Sequence, residues 1–584
     1  MAGNLGKRFG VTVNADANIG LNTVNFDNFP ASTISSLESK YVQLIMTNTI
    51  TNTAYMSADA LADVSLDLHT KMFAADPEFM AKALVYARDN GLMRTQPIIG
   101  LAILTNESYT TGALTLSKKI FGRIIKTPGD LIDFITMLPS VRKSGKGIGL
   151  GVKKMVGAWL NNMSEYHAIK YGAEPALKLK CSHCSKTFDI KKERSERCPG
   201  CLSRNSLQIQ TQWGLRDILK VTRPLPITDK QNSLFAYLMK SDKYTPSMRL
   251  LPQIDKLEEL KLLAKRLAGK EITEEEYTVY AVKAIEAGKL PYEIVSGIVS
   301  PTTAIWEYLM HQMPMRALMS NLNTLQRHGV LDKQENVNYV VSRLTNESAL
   351  EKAMLWPSTV VTAYQYVEHL RLKEALRSCV EISFRSVQPI PGKNAIFLDV
   401  SGSMNEDRQK NKKNGAVLGL AALRNSSDSI FMCFDTSIYS SGVSPHDSIA
   451  TNFDRVMHVG GGGTNIGRCL DYMMGSPLTT YGWDSPTSIK ATSPTLVDNI
   501  IILTDEQQNS GTPLIRKFRE YRTKVNKKAK LFIIDVAPYE SRIAPEDTPG
   551  VYFIFGWSAS VLKYINSVLE GVGGQIEYIK NMTI

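Results

Sequence analysis

The chain has 584 residues, 43% hydrophobic and 21% charged, a folded, multi-domain composition that excludes a disordered chain or a small disulfide scaffold. Lys+Arg 68 against Asp+Glu 56 gives a net charge of +12, which points to a polyanionic partner without identifying it. No window approaches the roughly 18 apolar residues of a membrane span. The N-terminus MAGNLGKRFG lacks an apolar leader segment, so a cytoplasmic protein with no membrane partner is expected.

Residues 1–30 read as an N-terminal extension, and residues 31–387 as one long helical region. Asp76-Pro77 supplies an N-cap with proline at the first helical position. Phe79, Met80, Ala83, Leu84 and Ala87 then form one apolar stripe that ends at Gly91. Thr273 and Glu276 form a capping box ahead of Val279, Val282 and Ile285. Ser300-Pro301 opens a helix with Ile305, Trp306, Leu309, Met310 and Met313 on one face. Many short amphipathic helices must pack side by side, as a bundle or as a solenoid of helix pairs. No strict repeat period appears.

Inside this region Cys181-Ser-His-Cys184 and Cys198-Pro-Gly-Cys201 stand thirteen residues apart. Two such knuckles can close four thiolates tetrahedrally around Zn²⁺, so a structural zinc ribbon is predicted over residues 173–211. The remaining cysteines, Cys379, Cys433 and Cys469, suggest no disulfide framework. Arg142, Lys143, Lys146 and Lys153 surround the glycine-rich stretch Gly145–Gly151. It has no Gly-Lys-Ser/Thr ending and no preceding strand, so it is not a nucleotide loop. It is expected to start a helix whose amides, with those cations, can hold an RNA phosphate.

At Gln388-Pro389-Ile390-Pro391-Gly392 the periodicity changes. Strand-like runs follow at 395–400, 429–434, 499–503, 530–536 and 551–555, separated by helical stretches such as 415–424 and 560–570. Residues 392–584 therefore predict a parallel, doubly wound Rossmann-like α/β sheet. From residue 392 on there are 20 basic and 19 acidic side chains, which leaves +11 of the +12 in the helical half. The polyanion signal belongs there.

Asp399, Ser401 and Ser403 follow the first strand, Thr464 follows Gly460–Gly463, and Asp505 follows the Asn499–Leu503 strand. Loops after the strands of an open α/β sheet form its ligand crevice. Two carboxylates and three hydroxyls suit a hard divalent cation, Mg²⁺ first. No general base accompanies them, so binding is expected, not catalysis. The set resembles the metal-ion-dependent adhesion site (MIDAS) of a von Willebrand factor A-like domain.

Further motifs resemble the TROVE module of the Ro ribonucleoprotein family. They are Asp76-Pro-Glu-Phe-Met with Tyr86–Pro97, Trp213–Pro224, Leu290-Pro-Tyr-Glu-Ile294, Met313–Leu322 and Trp356-Pro-Ser358. The resemblance implies HEAT-like helix pairs bent into a ring. Such a ring binds small structured noncoding Y RNA on its outer surface and single-stranded 3′ ends of misfolded RNA in its central hole. It also implies a role in RNA quality control, maturation or decay, with an exoribonuclease as a partner, and a monomer. The outer RNA-binding helices match Lys170, Arg216, Lys220 and Arg223 here, the last standing where relatives often carry histidine. The cysteine insertion departs from the pattern and falls inside that stretch, where it can either extend the RNA surface or dock a protein. The rival to an RNA-binding ring is a metal-dependent protein adaptor acting through residues 392–584.

Overall fold

The computed structural model describes residues 23–25, 30–33, 36–47, 58–106, 113–141, 148–173, 178–181, 187–189, 207–210, 213–240, 246–298, 301–353, 355, 357–385, 389–424, 426, 428–440, 442–476, 478–481, 486–489, 493–536, 541–545, 548–556, 560–570 and 574–584. The chain divides into two compact units, residues 1–97 together with 314–584, and residues 98–313. Helices dominate up to Arg385 and a mixed sheet follows.

Capping chemistry sets several helix starts. The Asp76 carboxylate accepts the Phe79 amide at 2.8 Å, and Pro77 opens the helix Pro77–Asp89. Its predicted stripe is buried, and Ala81, Val85 and Tyr86 are buried too, because other elements of its unit flank it. In residues 98–313, Thr273 and Glu276 cap each other reciprocally at 3.0 and 3.1 Å. That cap starts helix Glu274–Gly288, which packs against Pro252–Ala268 as a hairpin. The buried Glu165 carboxylate accepts the Gln253 and Ile254 amides at 2.9 and 3.2 Å and pairs with Lys230 at 2.7 Å. A negative charge at a helix start satisfies orphan amides and the helix dipole together. The helix expected at Ser300-Pro301 begins instead at Thr303, because the extended Thr302 accepts the Ile305 amide at its hydroxyl.

The cysteine-bearing segment contributes a three-stranded antiparallel sheet, with Lys178–Cys181 between Thr187–Asp189 and Leu207–Gln210. Cys184, Cys198 and Cys201 lie outside the described residues, as does the Cys181 side chain. Cys379, Cys433 and Cys469 are buried free thiols.

Eight strands form the C-terminal sheet among the described residues. They are β1 (Asn394–Asp399), β2 (Ser429–Phe434), β3 (Ile438–Tyr439), β4 (Leu478–Tyr481), β5 (Pro486–Ile489), β6 (Asn499–Thr504), β7 (Lys530–Asp535) and β8 (Val551–Phe555), in spatial order β5-β4-β3-β2-β1-β6-β7-β8. The five strands from β2 to β8 through β1 are mutually parallel, as expected. The sheet as a whole is mixed, because β3 runs antiparallel to β2 and β5 antiparallel to β4. Helix Glu406–Arg424 covers β1, brought close by Gly415 and Gly419. A Cβ on these would sit 2.6 Å from Leu398 Cδ1 and 2.7 Å from Phe431 Cε2.

The N-terminal segment joins this unit. Strand Pro30–Thr33 pairs with both Thr23–Val24 and Ser541–Arg542. Gln43 donates to the buried Asp535 carboxylate at the end of β7, and Gln575 donates to the Tyr86 hydroxyl at 3.2 Å. Beneath lies a buried polar chain. His69 is fully buried, with Nε2 2.9 Å from Gln96 Oε1 and Nδ1 2.9 Å from the Tyr41 hydroxyl, and Ser65 donates to the same Gln96 oxygen at 2.8 Å. Since that amide oxygen only accepts, Nε2 carries the proton and Nδ1 accepts from Tyr41.

Burial lowers the His69 pKa from 6.5 to about 4. The folded state therefore binds fewer protons than the unfolded one between these values, and stability present above pH 6.5 is lost as pH falls toward 4. Urea unfolding of wild type and His69→Gln should diverge in pH dependence across that window by about 3 kcal/mol. Parallel curves would contradict the assignment.

Candidate metal centre

β1 and β6 are neighbouring parallel strands, and the chain runs on from β1 to β2 on one side and from β6 to β7 on the other. That is a topological switch point, where strand ends open a crevice. Asp399 ends β1 and Asp505 follows β6, so two carboxylates flank it. They are 0% and 1% exposed. Thr504 donates to Asp399 Oδ2 at 2.6 Å, and the Ser401 amide donates to Oδ1 at 2.9 Å. Ser401 and Ser403 hydroxyls lie 3.2 Å apart.

The glycine run is stitched onto this loop. Gly461 N–H donates to Val400 C=O at 2.8 Å, and Gly402 N–H to Gly462 C=O at 2.9 Å. Asp435, after β2, accepts the Gly462 amide at 3.1 Å and the Tyr439 hydroxyl. Thr464 is 2% exposed, and its amide donates to Asn509 Oδ1 at 2.8 Å. Behind the run, buried Lys412 donates to the Val459 and Met457 carbonyls at 2.6 and 3.1 Å, tying down the end of helix Ile449–Met457. Burial depresses its pKa.

Burial first, and then the Asp505 charge beside it, push the Asp399 carboxyl up to about 7. Hydrogen bonds from Ser401 and Thr504 oppose this only in part. Two inaccessible carboxylates repelling one another, with hydroxyls alongside, make a donor set that a hard divalent cation neutralises. Among the described residues no group of three or more His, Cys, Asp and Glu gathers as a metal cluster. A cation held here would have to draw on the hydroxyls as well as the two carboxylates.

A second charged group lies beside it. Glu506 has a left-handed backbone, φ 62°, and accepts the Ile543 amide at 3.0 Å. Burial, then Asp535, hold its carboxyl well above the usual range. Arg542, fully buried, stacks its guanidinium 4.2 and 4.6 Å from the Phe553 and Phe555 ring centroids and stands 4.0 Å from Glu506. Sequence reasoning missed Lys412, Asp435, Thr504, Asn509 and this group. Only Asp435 and Thr504 carried a signal, a polar residue at the end of a strand.

The basic candidates sit in residues 98–313. Lys170 bonds the Tyr166 hydroxyl at 2.9 Å and Glu293 at 3.3 Å, with its ammonium over the Tyr166 and Tyr171 rings. Its charge is partly spent inside the protein, and these bonds raise its pKa. Arg216 is half-buried on helix Leu215–Thr222. Lys220 there is exposed and 3.8 Å from Asp217, and Arg223 closes the helix, exposed, at φ 47°. Lys153 is half-exposed on helix Leu150–Leu160, which packs against Leu215–Thr222. Arg142, Lys143 and Lys146 lie outside the described residues. Leu225 and Ile227, just beyond Arg223, are 85% and 72% exposed, which the sequence did not signal.

A mostly parallel sheet with its polar donors at the central strand ends defines a von Willebrand factor A-like α/β domain behind a helical region. Family models agree: TROVE domain matches residues 299–416 and Ro60 vWA domain matches residues 393–569. The chain carries both domains and is homologous to the bacterial RO60 protein. The relative named RNA-binding protein RO60, from Deinococcus radiodurans, is 22% identical over 382 residues, 62% of this chain and 66% of that protein, so the chain spans just under two thirds of its length. The crystal structure of the Deinococcus radiodurans RO (RSR) protein superposes with a TM-score of 0.61 at 17% identity, over 91% of this chain and 99% of that one. No helix among the described residues is long and apolar enough to cross a membrane.

Gly460 stands at φ +89°, and a Cβ there would meet the Val400 carbonyl oxygen at 2.4 Å, whereas one on Gly402 would meet nothing closer than 3.6 Å. Gly460→Ala should cost about 1–3 kcal/mol by thermal unfolding, and Gly402→Ala under about 0.5 kcal/mol. Equal costs would contradict the stitched-loop account.

Proposed function

We propose that this chain is an RNA-binding protein of the Ro type. It binds small structured, Y-like noncoding RNA on the helical half, and single-stranded 3′ ends in the hole that the family resemblance implies, in RNA quality control, maturation or decay. The joint occurrence of a TROVE domain and a Ro60 vWA domain in one homologue of an RNA-binding protein carries the reading. The +11 of charge before residue 392 supports it. Arg216, Lys220, Arg223 and Lys153 are the proposed phosphate contacts, with Arg142, Lys143 and Lys146 beside them. Lys170 belongs to the set but has less charge to give, being shared with Glu293.

The Cys181, Cys184, Cys198 and Cys201 thiolates are proposed to hold a structural Zn²⁺ in the insertion. Asp399, Ser401, Ser403, Thr464 and Asp505 are proposed to hold Mg²⁺ or another divalent cation. The cation would supply a Lewis-acidic point for one more carboxylate, so the site would bind an acidic partner surface, an exoribonuclease being the class that fits RNA decay. A reading as metal-dependent adaptor alone is favoured by this buried donor set, but leaves the charge asymmetry unexplained.

Binding of a labelled structured RNA hairpin to the full chain, titrated against salt, tests the reading. Arg223→Ala should weaken binding and reduce the log–log salt slope by about 0.7–0.9, and Lys170→Ala by less. Deleting residues 173–211 should lower affinity if the insertion extends the RNA surface. An unchanged slope in all three would favour the adaptor.

A further inference from the structure

The near balance of charge after residue 391 conceals one concentration. Eight of the 20 basic side chains there fall within residues 514–530, where Glu520 is the one acidic residue, so the rest of the domain holds 12 basic against 18 acidic. Helix Leu514–Lys524 opens this stretch, and a short turn joins it to β7. Leu514, Ile515, Phe518 and Tyr521 bury the apolar side of the helix in the domain core. Arg516 and Arg519, three residues apart, neighbour each other on its outer side, and both are exposed.

The turn beyond the helix is held in place. Arg522 lies 5.8 Å from the Phe518 ring centroid and donates to the Lys527 and Pro549 carbonyls at 2.9 and 2.6 Å. Asn526 Oδ1 accepts the Lys528 amide at 3.0 Å, while its Nδ2 donates to the Val497 carbonyl at 2.7 Å. Lys527 and Lys528 are thus presented, exposed, from a fixed backbone. Glu520 is already taken by Lys517 and Lys524, at 3.2 and 2.6 Å. Among the described residues no ion pair engages Arg519, Lys527 or Lys528. Helix stability does not account for the arrangement either. Cations suit the last turn of a helix, whereas Arg516 lies in the first, which has no acidic residue to offset it.

Three features select the ligand. The apolar side of the helix is buried, so it has none to insert into a lipid surface. Among the described residues no large apolar side chain of 514–530 is exposed, whereas a protein interface wants an apolar centre inside its charged rim. The helix is about 16 Å long and the turn extends it, which exceeds what a free phosphate needs and suits a chain of phosphates. We propose that residues 514–530 form a second RNA contact, on the von Willebrand factor A-like domain, where Arg516, Arg519, Lys527 and Lys528 hold the phosphate backbone without reading sequence. The proposal rests on the RNA-binding reading above. It adds that the domain with almost no net charge supplies phosphate contacts of its own.

The test is fluorescence anisotropy on the full chain with two labelled RNAs of unrelated sequence, each a hairpin with a single-stranded 3′ tail, titrated against salt. Arg519→Ala, Lys527→Ala and Lys528→Ala combined should weaken both RNAs alike, by about tenfold or more, and reduce the log–log salt slope by about 2–3. Alanine at Lys71, Lys393 and Lys580, each paired with a carboxylate elsewhere in the same unit, should leave the slope within about 1 of wild type. If the first variant does not fold, Lys527→Ala with Lys528→Ala, beyond the helix, supplies the readout, a slope smaller by about 1.4–1.8. An unchanged slope in either folded variant overturns the contact and leaves the patch to an acidic protein. An equal loss in the control overturns it too, since net charge would then explain the effect, as does weakening of one RNA alone. Wild type that binds neither RNA defeats the RNA reading itself.

Discussion

Two carboxylates that cannot reach water, Asp399 and Asp505, close adjacent strands at the switch point of the sheet, and much of the C-terminal domain is arranged around that repulsion. Burial first, and then the like charge of Asp505, push the Asp399 carboxyl up to about 7. The strands supply the carboxylates, because parallel register sets both chain ends at the same edge. Thr504 and the Ser401 amide hold one of them in place. The glycine run can approach only because Gly460 has no side chain. Lys412, itself buried, fixes the helix end from which the run departs. This concentration of buried polar groups at one point is the observation on which the proposed cation site rests.

Much of this was legible in the chain, and the reasons differ by element. Asp76-Pro77 and the Thr273/Glu276 box act through bonds three residues apart, so their signal is local. The core strands β1, β6 and β7 are continuous apolar runs that only a sheet covered on both faces accepts. The edge strands were not legible. LTTY and PTSI lack apolar runs, and IY is too short to read. The pairing of Pro30–Thr33 with Ser541–Arg542 joins residues more than five hundred positions apart, and nothing in PAST announces it. Buried charges such as Lys412, Glu506 and Arg542 escape for another reason: composition places charges outside, and only the packed fold reveals what compensates them.

The placement of the five candidate donors was legible because each follows a strand or a glycine run. Of the groups that buttress them, Asp435 carried only the weak signal of a polar residue at a strand end, and Asn509 none, since a hydrogen bond to a backbone amide leaves no pattern in sequence. The basic set shows the opposite weakness. Lys170 is a candidate through the family resemblance, yet Tyr166 and Glu293 occupy it. Charge counts place the basic excess in the helical half; they do not say which of its cations are available to a polyanion.

Thermal unfolding of the full chain in Mg²⁺ against EDTA tests whether the strand-end carboxylates hold a divalent cation, as proposed. At a Mg²⁺ concentration about 100 times its Kd, wild type should gain roughly 2.7 kcal/mol, and Asp505→Ala should gain nothing. Equal midpoints in Mg²⁺ and EDTA for wild type, or the same gain in the variant, would contradict it.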